Sequence, residues 1–332
     1  MDESKAGNSH ERAQCRSLRR LVVIAGPTAS GKSSLAVKAA LRLQGEIVNC
    51  DSMQLHRGLA VGTAKPDERE RCRVPHHLYD RLEPDEFFSA GRYMDEAREI
   101  CRAISARGHL PFVVGGTGLY LRALLEGVFE GPSAHGELRR RLTQSEQRSG
   151  PGHLHRMLQR FDPQSASRIQ PGDVFRQVRA LEVYFVTGTP LSLLREQKVP
   201  FRGYRILKIG LRLPREKLYD RINFRVSRML REGLADEVQR LLDAGYSQQS
   251  KGFEALGYGH VADFLQGRIS REEAVERTRR DSRRYAKRQM TWFRREQGLH
   301  WIEQAGEDEE ALQAFMKLYQ QEDSWITLPE ND

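Results

Sequence analysis

The stretch Gly26-Pro27-Thr28-Ala29-Ser30-Gly31-Lys32-Ser33 constrains this chain more than any other segment. It matches the phosphate-binding pattern G-x-x-x-x-G-K-[ST] without a mismatch. It follows the apolar run Leu21 to Ala25 and precedes the helical spacing Leu35, Ala36, Ala39, Ala40, Leu43. A strand that feeds a glycine-rich loop into a helix N-terminus aims several backbone N–H groups at one point, and the helix dipole adds positive potential there. Lys32 supplies a mobile charge for terminal phosphate oxygens, and the Ser33 hydroxyl can hold a Mg2+ ion that bridges them. A polyphosphate site formed by Gly26, Pro27, Thr28, Ala29, Ser30, Gly31, Lys32 and Ser33 is therefore expected.

The loop does not say what becomes of the polyphosphate. Enzymes that hydrolyse or transfer a phosphoryl group usually end a later strand in an acidic residue that orders the metal. Here the strand Leu110 to Val114 ends in Gly115-Gly116-Thr117-Gly118 instead. Asp51 follows a second strand, Glu46 to Cys50, and opens one carboxylate beside the loop. That acid could order a metal, as in a kinase, or act as a base toward a nucleophile. Both remain open on the loop alone.

With 332 residues, 39% of them hydrophobic and 30% charged, the chain has the composition of a soluble protein of one large or two ordinary domains. Its net charge of +9 favours a polyanionic partner. No apolar run approaches the ~20 residues that span a bilayer. Residues 1–17 are polar, without the apolar centre of a signal peptide, and are expected to form a disordered leader of a cytoplasmic protein. Cys15, Cys50, Cys72 and Cys101 show no metal-ligand spacing. The pair His76-His77 lacks a nearby third ligand, so no zinc site is expected.

From about Leu18 to Gly127, apolar strands alternate with amphipathic helices, the pattern of a parallel sheet covered on both faces. The fold class expected is α/β: a P-loop NTPase-like parallel sheet flanked by helices, with a mainly helical insertion domain. Residues 18–130 and 201–305 would form the core. Residues 131–200 would form the insertion, with helical spacing at Leu138 and Leu142 and a stripe of Val174, Val178, Leu181 and Phe185. Tyr204 to Leu211 resumes the sheet, and helices are expected over Arg215 to Glu232, Leu234 to Ala244 and Arg271 to about Arg295. Pro214 is a favourable helix start. Residues 306–332 read as a peripheral acidic tail.

The last long helix is densely cationic. Arg277, Arg279, Arg280, Arg283, Arg284, Lys287, Arg288, Arg294 and Arg295 are accompanied by one acid, Asp281. Arg280, Arg284 and Lys287 share a face, with Tyr285, Gln289 and Trp292 on another. Few acids are placed to neutralise it, so contact with a nucleic-acid backbone is expected, with Trp292 packed in the core.

Taken together, the motifs resemble those of the tRNA dimethylallyltransferases (tRNA isopentenyltransferases). After Gly26 to Ser33 come Asp51-Ser52-Met53-Gln54, Gly62-Thr63-Ala64-Lys65-Pro66, His76-His77-Leu78-Tyr79-Asp80 and Phe88 to Tyr93. Val114 to Tyr120, Arg179 to Val183, Leu256-Gly257-Tyr258 and Arg284 to Gln289 with Thr291 to Arg294 follow in the family's order. The phosphate loop alone is widely shared; the ordered set is highly specific.

The resemblance implies transfer of a dimethylallyl group from its diphosphate to N6 of the adenosine at tRNA position 37, with release of pyrophosphate. The leaving group suits a loop that cradles paired phosphates, with Mg2+ as cofactor and Ser33 as its ligand. Asp51 matches the family's base, Thr117 its reacting centre and Arg225 a diphosphate-holding residue. The flipped adenosine would enter a channel between core and insertion, read by Asp51, Ser52, Met53 and Gln54, with Gln54 offering a donor and an acceptor, and with Thr117 beside it. Arg139, Arg176, Gln177 and Arg179 match tRNA-contacting positions of the insertion, and Arg284, Lys287 and Arg288 would hold the backbone. A cytoplasmic monomer without membrane contact is implied.

The chain departs from the family pattern at His56, where Tyr is usual, at Phe175, commonly polar, and at Glu254, commonly Gln. A small-molecule kinase is the leading alternative, on the same loop with Asp51 activating a hydroxyl. A prenyltransferase acting on free adenine nucleotides and an RNA-binding protein with a degenerate phosphate site complete the set. The basic helix and the insertion disfavour the first, the tRNA-contact motifs the second, and the intact Gly31, Lys32, Ser33 and Asp51 the last.

Overall fold

β1 (Arg19–Ala25) sends Leu21, Val23 and Ala25 to one face and Val22 and Ile24 to the other, all of them buried. This run without polar interruption is what a central parallel strand requires. The structure, a computed structural model, describes residues 18–129 and 131–328; the expected leader 1–17 lies outside them. The chain continues through α1 (Lys32–Leu43), β2 (Gly45–Asn49), α2 (Glu68–Arg73), β3 (His76–His77), α3 (Ala90–Ala106), β4 (Leu110–Gly115) and α4 (Gly118–Glu126). It divides into two compact units, one of which is residues 126–200.

The smaller unit holds helices α5 (Gly136–Ser149), α6 (His153–Phe161), α7 (Pro163–Arg168), α8 (Val174–Thr187) and α9 (Leu191–Leu194), with no strand among the described residues. Leu142, Leu154, Leu158, Val178 and Leu181 make its core. Phe185, expected in the α8 stripe, is 44% exposed instead.

The larger unit resumes with β5 (Tyr204–Leu211). It then runs through α10 (Arg215–Arg231), α11 (Leu234–Asp243), α12 (Tyr258–Leu265), α13 (Arg271–Phe293), β6 (Leu299–Ile302), α14 (Glu309–Gln320) and β7 (Ile326–Thr327). The sheet order is β3-β2-β4-β1-β5-β6, parallel throughout, and β7 adds antiparallel to β5. One face packs on α3 and α4 through Tyr93, Ala97, Ile104 and Leu121. The other packs on α1 and α14 through Leu35, Ala39, Leu312 and Phe315. A third cluster joins Val238 of α11 and Tyr258 of α12 to Leu59 and Phe253.

The tail is not peripheral. Ala311, Leu312 and Phe315 of α14 are buried against the sheet, and Trp325 joins them. Glu307, Glu309 and Glu310 lie on the exposed side, so the acidic residues are the solvent face of an amphipathic helix and its approach. Among the described residues, no helix is long and apolar enough to cross a membrane.

Candidate active site

The phosphate loop is held open from below by its own neighbours. Gly31 adopts φ +90°, and a Cβ there would collide with the Glu307 carboxylate and the Gly306 N–H. Gly306 donates to the Ser30 carbonyl at 3.0 Å, so the loop after β6 closes on the phosphate loop. Arg221 of α10 donates from Nε to the Ala29 carbonyl at 2.7 Å and pairs with Glu307 at 2.8 Å. Ala29 sits at φ +62°, a strained position of the kind that marks ligand loops. The N–H groups at the start of α1, which helical geometry leaves without intrahelical partners, open from this frame.

A cleft of about 320 Å³ opens there, lined by Thr28, Lys32, Ser33, Asp51, Gln54 and Arg225 among others. Lys32 donates to the Pro27 carbonyl at 2.7 Å. Burial lowers its ammonium to about 8, with Asp51 opposing the change. Burial also lowers Arg225, to about 10, so both side chains remain cationic at neutral pH. Two partly buried cations beside the Asp51 carboxylate form a site that gains strongly from a dianionic or trianionic ligand.

Asp51 leaves the end of β2. Its N–H donates to the Asn49 side chain at 2.9 Å, and its own Oδ1 accepts from the Met53 N–H at 3.0 Å. Gly115 lies so close to the Cys50 carbonyl that a Cβ would overlap it, which lets the ends of β2 and β4 converge. Thr117 then places its hydroxyl 3.1 Å from the Ser52 N–H, which donates to it, and its own N–H donates to the Cys50 carbonyl at 3.1 Å. Helix α4 starts at the next residue, yet this hydroxyl accepts from the Asp51–Ser52 turn and not from the helix. Ser52 and Met53 line the cleft, and Thr117 reaches it through Ser52.

Gln54 points its amide into the Gly62 to Pro66 segment. Nε2 donates to the carbonyls of Thr63 at 3.0 Å and Ala64 at 3.3 Å. The expected dual donor and acceptor is thus reduced to an acceptor, because the backbone takes the donor. Arg225 donates to the same Thr63 carbonyl at 3.3 Å. The segment is fixed from behind by Glu237 of α11, only 3% exposed, whose carboxylate accepts from the N–H groups of Ala60 and Val61, both at 2.9 Å, and of Gly62 at 3.2 Å. Lys65 ties it to Asp80 at 2.6 Å, with Arg71 on the other oxygen. Glu237 carries no hint of this role in the sequence, where it reads as one acid in a first helical turn.

Helix α13 is less cationic than its sequence implies. Glu273 pairs with Arg277, Glu276 with Arg279 and Arg283, and Asp281 with Arg280 and, at 3.5 Å, with Arg284. Acids about one or two turns away neutralise most of its first half. Lys287 and Arg288 are exposed with no carboxylate partner among the described residues. Arg288 lines the cleft, while Lys287 and Arg294 face a second groove with Arg212 and Arg215. Trp292 packs against the core, as expected, with Arg122 over its ring at 4.5 Å.

In the smaller unit, the expected basic contacts are largely committed. Glu182, fully buried, accepts from Arg139 at 2.8 and 2.9 Å and from Arg179 at 2.6 Å. Gln177 has 0% exposure and donates to the Gln170 and Pro171 carbonyls, so it shapes the loop before α8 and is not available as the expected tRNA contact. Arg176 is exposed beside Asp173 at 3.3 Å, next to Phe175 at 78% exposure. Of the other departures, His56 is buried with its ring on the Glu83 carbonyl, and Glu254 pairs with Lys251 on the cleft wall.

The family model described as IPP transferase matches residues 54–296. A tRNA dimethylallyltransferase of Koribacter versatilis is 48% identical over 299 residues, 90% of this chain and 97% of that protein. The tRNA dimethylallyltransferase 1 of Pelobacter propionicus is 50% identical over 287 residues, 86% of this chain and 93% of that protein. The crystal structure of the tRNA isopentenylpyrophosphate transferase of Bacillus halodurans superposes with a TM-score of 0.67 at 39% identity, covering 91% of this chain and 95% of that one. A eukaryotic dimethylallyltransferase acting on tRNA gives a TM-score of 0.69 at 28% identity, covering 83% of this chain and 70% of that one. The family model spans more than half of the chain, and these relatives are about half identical to it over most of its length: the chain belongs to the IPP transferase family.

Proposed function

We propose that this chain transfers a dimethylallyl group from dimethylallyl diphosphate to N6 of the adenosine at position 37 of tRNA and releases pyrophosphate. One observation carries the reading: a phosphate loop with Lys32 and Ser33, a cationic Arg225 and the Asp51 carboxylate line one cleft. Lys32, Arg225 and the N–H groups at the start of α1 bind the diphosphate and take up charge as the allylic C–O bond breaks. The N6 lone pair is delocalised into the purine, so attack is assisted when Asp51 accepts the N6 proton. Met53 fixes that carboxylate through its N–H, and Thr117 orients the same turn through Ser52. Gln54 presents its carbonyl oxygen as the acceptor for an exocyclic amine.

The donor set suits Mg2+, a hard cation that takes few protein ligands and completes its shell with phosphate and water. Ser33 would hold it, and the ion would neutralise charge on the leaving diphosphate. The adenosine must leave the anticodon-loop stack to react. The exposed cations Arg284, Lys287 and Arg288 supply backbone contacts, with Arg176 as the insertion's remaining exposed candidate. A cytoplasmic monomer suits this chemistry, since tRNA and dimethylallyl diphosphate both reach the site from aqueous solution.

The test is incubation of the protein with unmodified tRNA and dimethylallyl diphosphate, with ATP in a parallel arm, followed by nucleoside mass spectrometry. The expected product is a dimethylallyl adenosine without ATP. A requirement for ATP turnover would move the protein to the kinase class.

A further inference from the structure

Gln289 lies on α13 among arginines, yet it is only 5% exposed. Its Oε1 accepts from the Thr28 N–H at 2.8 Å, and its Nε2 donates to the Gly116 carbonyl at 3.0 Å. Thr28 belongs to the phosphate loop after β1, and Gly116 to the turn after the neighbouring strand β4. One amide therefore spans two loops that leave adjacent parallel strands. A Cβ on Gly116 would overlap Nε2, so the backbone there is bare where the amide enters.

The pair of hydrogen bonds demands an amide of this length. A carboxylate has no donor for the Gly116 carbonyl at neutral pH, leucine has neither group, and asparagine is one methylene short. We propose that Gln289 is a positioning residue for the diphosphate site, holding the phosphate loop in register with the Gly116–Thr117 turn. This rests on the transfer reaction proposed above. A consequence is that the Thr28 N–H is taken by the protein, so the anion relies on other N–H groups of the loop and on those at the start of α1.

The experiment compares full-length Q289L and Q289E with the parent. Pyrophosphate binding is measured by calorimetry, KM for dimethylallyl diphosphate and kcat by transfer to tRNA, and tRNA affinity separately. Q289L should weaken pyrophosphate binding about 10-fold and raise KM for the diphosphate in step, since a buried carbonyl and N–H lose their partners. Q289E should be worse despite its matching shape, because its carboxylate faces the Gly116 carbonyl and adds negative charge to the cleft that Lys32 and Arg225 make positive. Affinity for tRNA should stay within about twofold of the parent in both.

A residue that only fills space would leave the isosteric Q289E near normal. Unchanged pyrophosphate affinity and KM in both variants would overturn the proposal. Should Q289E fail to fold, Q289M, which keeps the length and removes both hydrogen bonds, carries the same expectation as Q289L. If the parent itself neither binds pyrophosphate nor uses dimethylallyl diphosphate, the proposed function falls, and this inference with it.

Discussion

The Thr117 hydroxyl accepts a hydrogen bond from the Ser52 N–H at 3.1 Å, so the turn after β4 grips the turn that carries Asp51. Removing this acceptor while keeping the shape leaves a half-buried N–H unpaired next to the carboxylate. T117V should lower kcat roughly 10- to 100-fold with little change in KM for the diphosphate, and T117S should recover most of it. Steady-state kinetics with each substrate varied checks this. A T117S variant as poor as T117V would assign the role to the methyl group instead.

Lys32 makes diphosphate binding sensitive to pH. In the free protein burial holds its ammonium near 8, so it loses its proton as pH rises through that value. A bound diphosphate restores the charged form, and binding near or above pH 8 should take up a proton and weaken with rising pH. For stability the sign is the reverse: the folded value lies below the unfolded one, so this group costs least once pH exceeds about 10. Calorimetry in buffers of different ionisation enthalpy measures the uptake. K32R, charged throughout, should lack the parent's extra proton.

Lys287 and Arg288 are exposed cations of α13 without carboxylate partners among the described residues. The double variant K287A/R288A should weaken tRNA binding and reduce its log–log salt slope by about 0.7–0.9 for each phosphate it no longer neutralises. Affinity for pyrophosphate should change less than affinity for tRNA. A salt titration of tRNA binding decides it, and superimposable lines for variant and parent would make this face a solvated one.

Glu46, inside β2, makes the core sensitive to acid. Burial would raise its carboxyl, but hydrogen bonds from Arg107, His77 and His109 overcome that and hold it at about 2. Its folded value is below the unfolded one, so its contribution is present above about pH 4.5 and lost as pH falls toward 2, on the order of 3 kcal/mol in all. Denaturant melts at neutral and acidic pH should show E46Q starting less stable and losing less on acidification.

Local pattern makes the centre of this molecule legible and hides its edges. β1 announces itself because Leu21 to Ala25 are apolar on both faces, and the loop from Gly26 to Ser33 carries its geometry in its glycines. β5 reads as a strand despite Arg205 and Lys208, whose charges are met by Glu322 and Glu296. β3 is two residues of histidine, and β6 is the four residues Leu299 to Ile302, both too short to separate from a loop. α14 is obscured by the acids Glu307 to Glu310 at its approach and first turn.

In the site, Lys32, Ser33, Asp51 and Arg225 converge as their chemistry demands. The residues that brace them are not legible in the sequence, because their partners are remote: Gln289 bonds across 261 and 173 residues, and Glu237 across 177. The basic residues look freer in the sequence than they are for the same reason, since the carboxylate that holds Arg139 lies 43 residues away in the chain.

Asp51 is the group that takes the N6 proton in the proposed reaction, and D51N tests this most directly. Asparagine keeps the size and can still accept from the Met53 N–H, but it cannot serve as a carboxylate base. Single-turnover transfer at saturating tRNA and dimethylallyl diphosphate should fall by about 10²- to 10⁴-fold while both substrates still bind. A D51N protein that transfers the dimethylallyl group at close to the parent rate would contradict it.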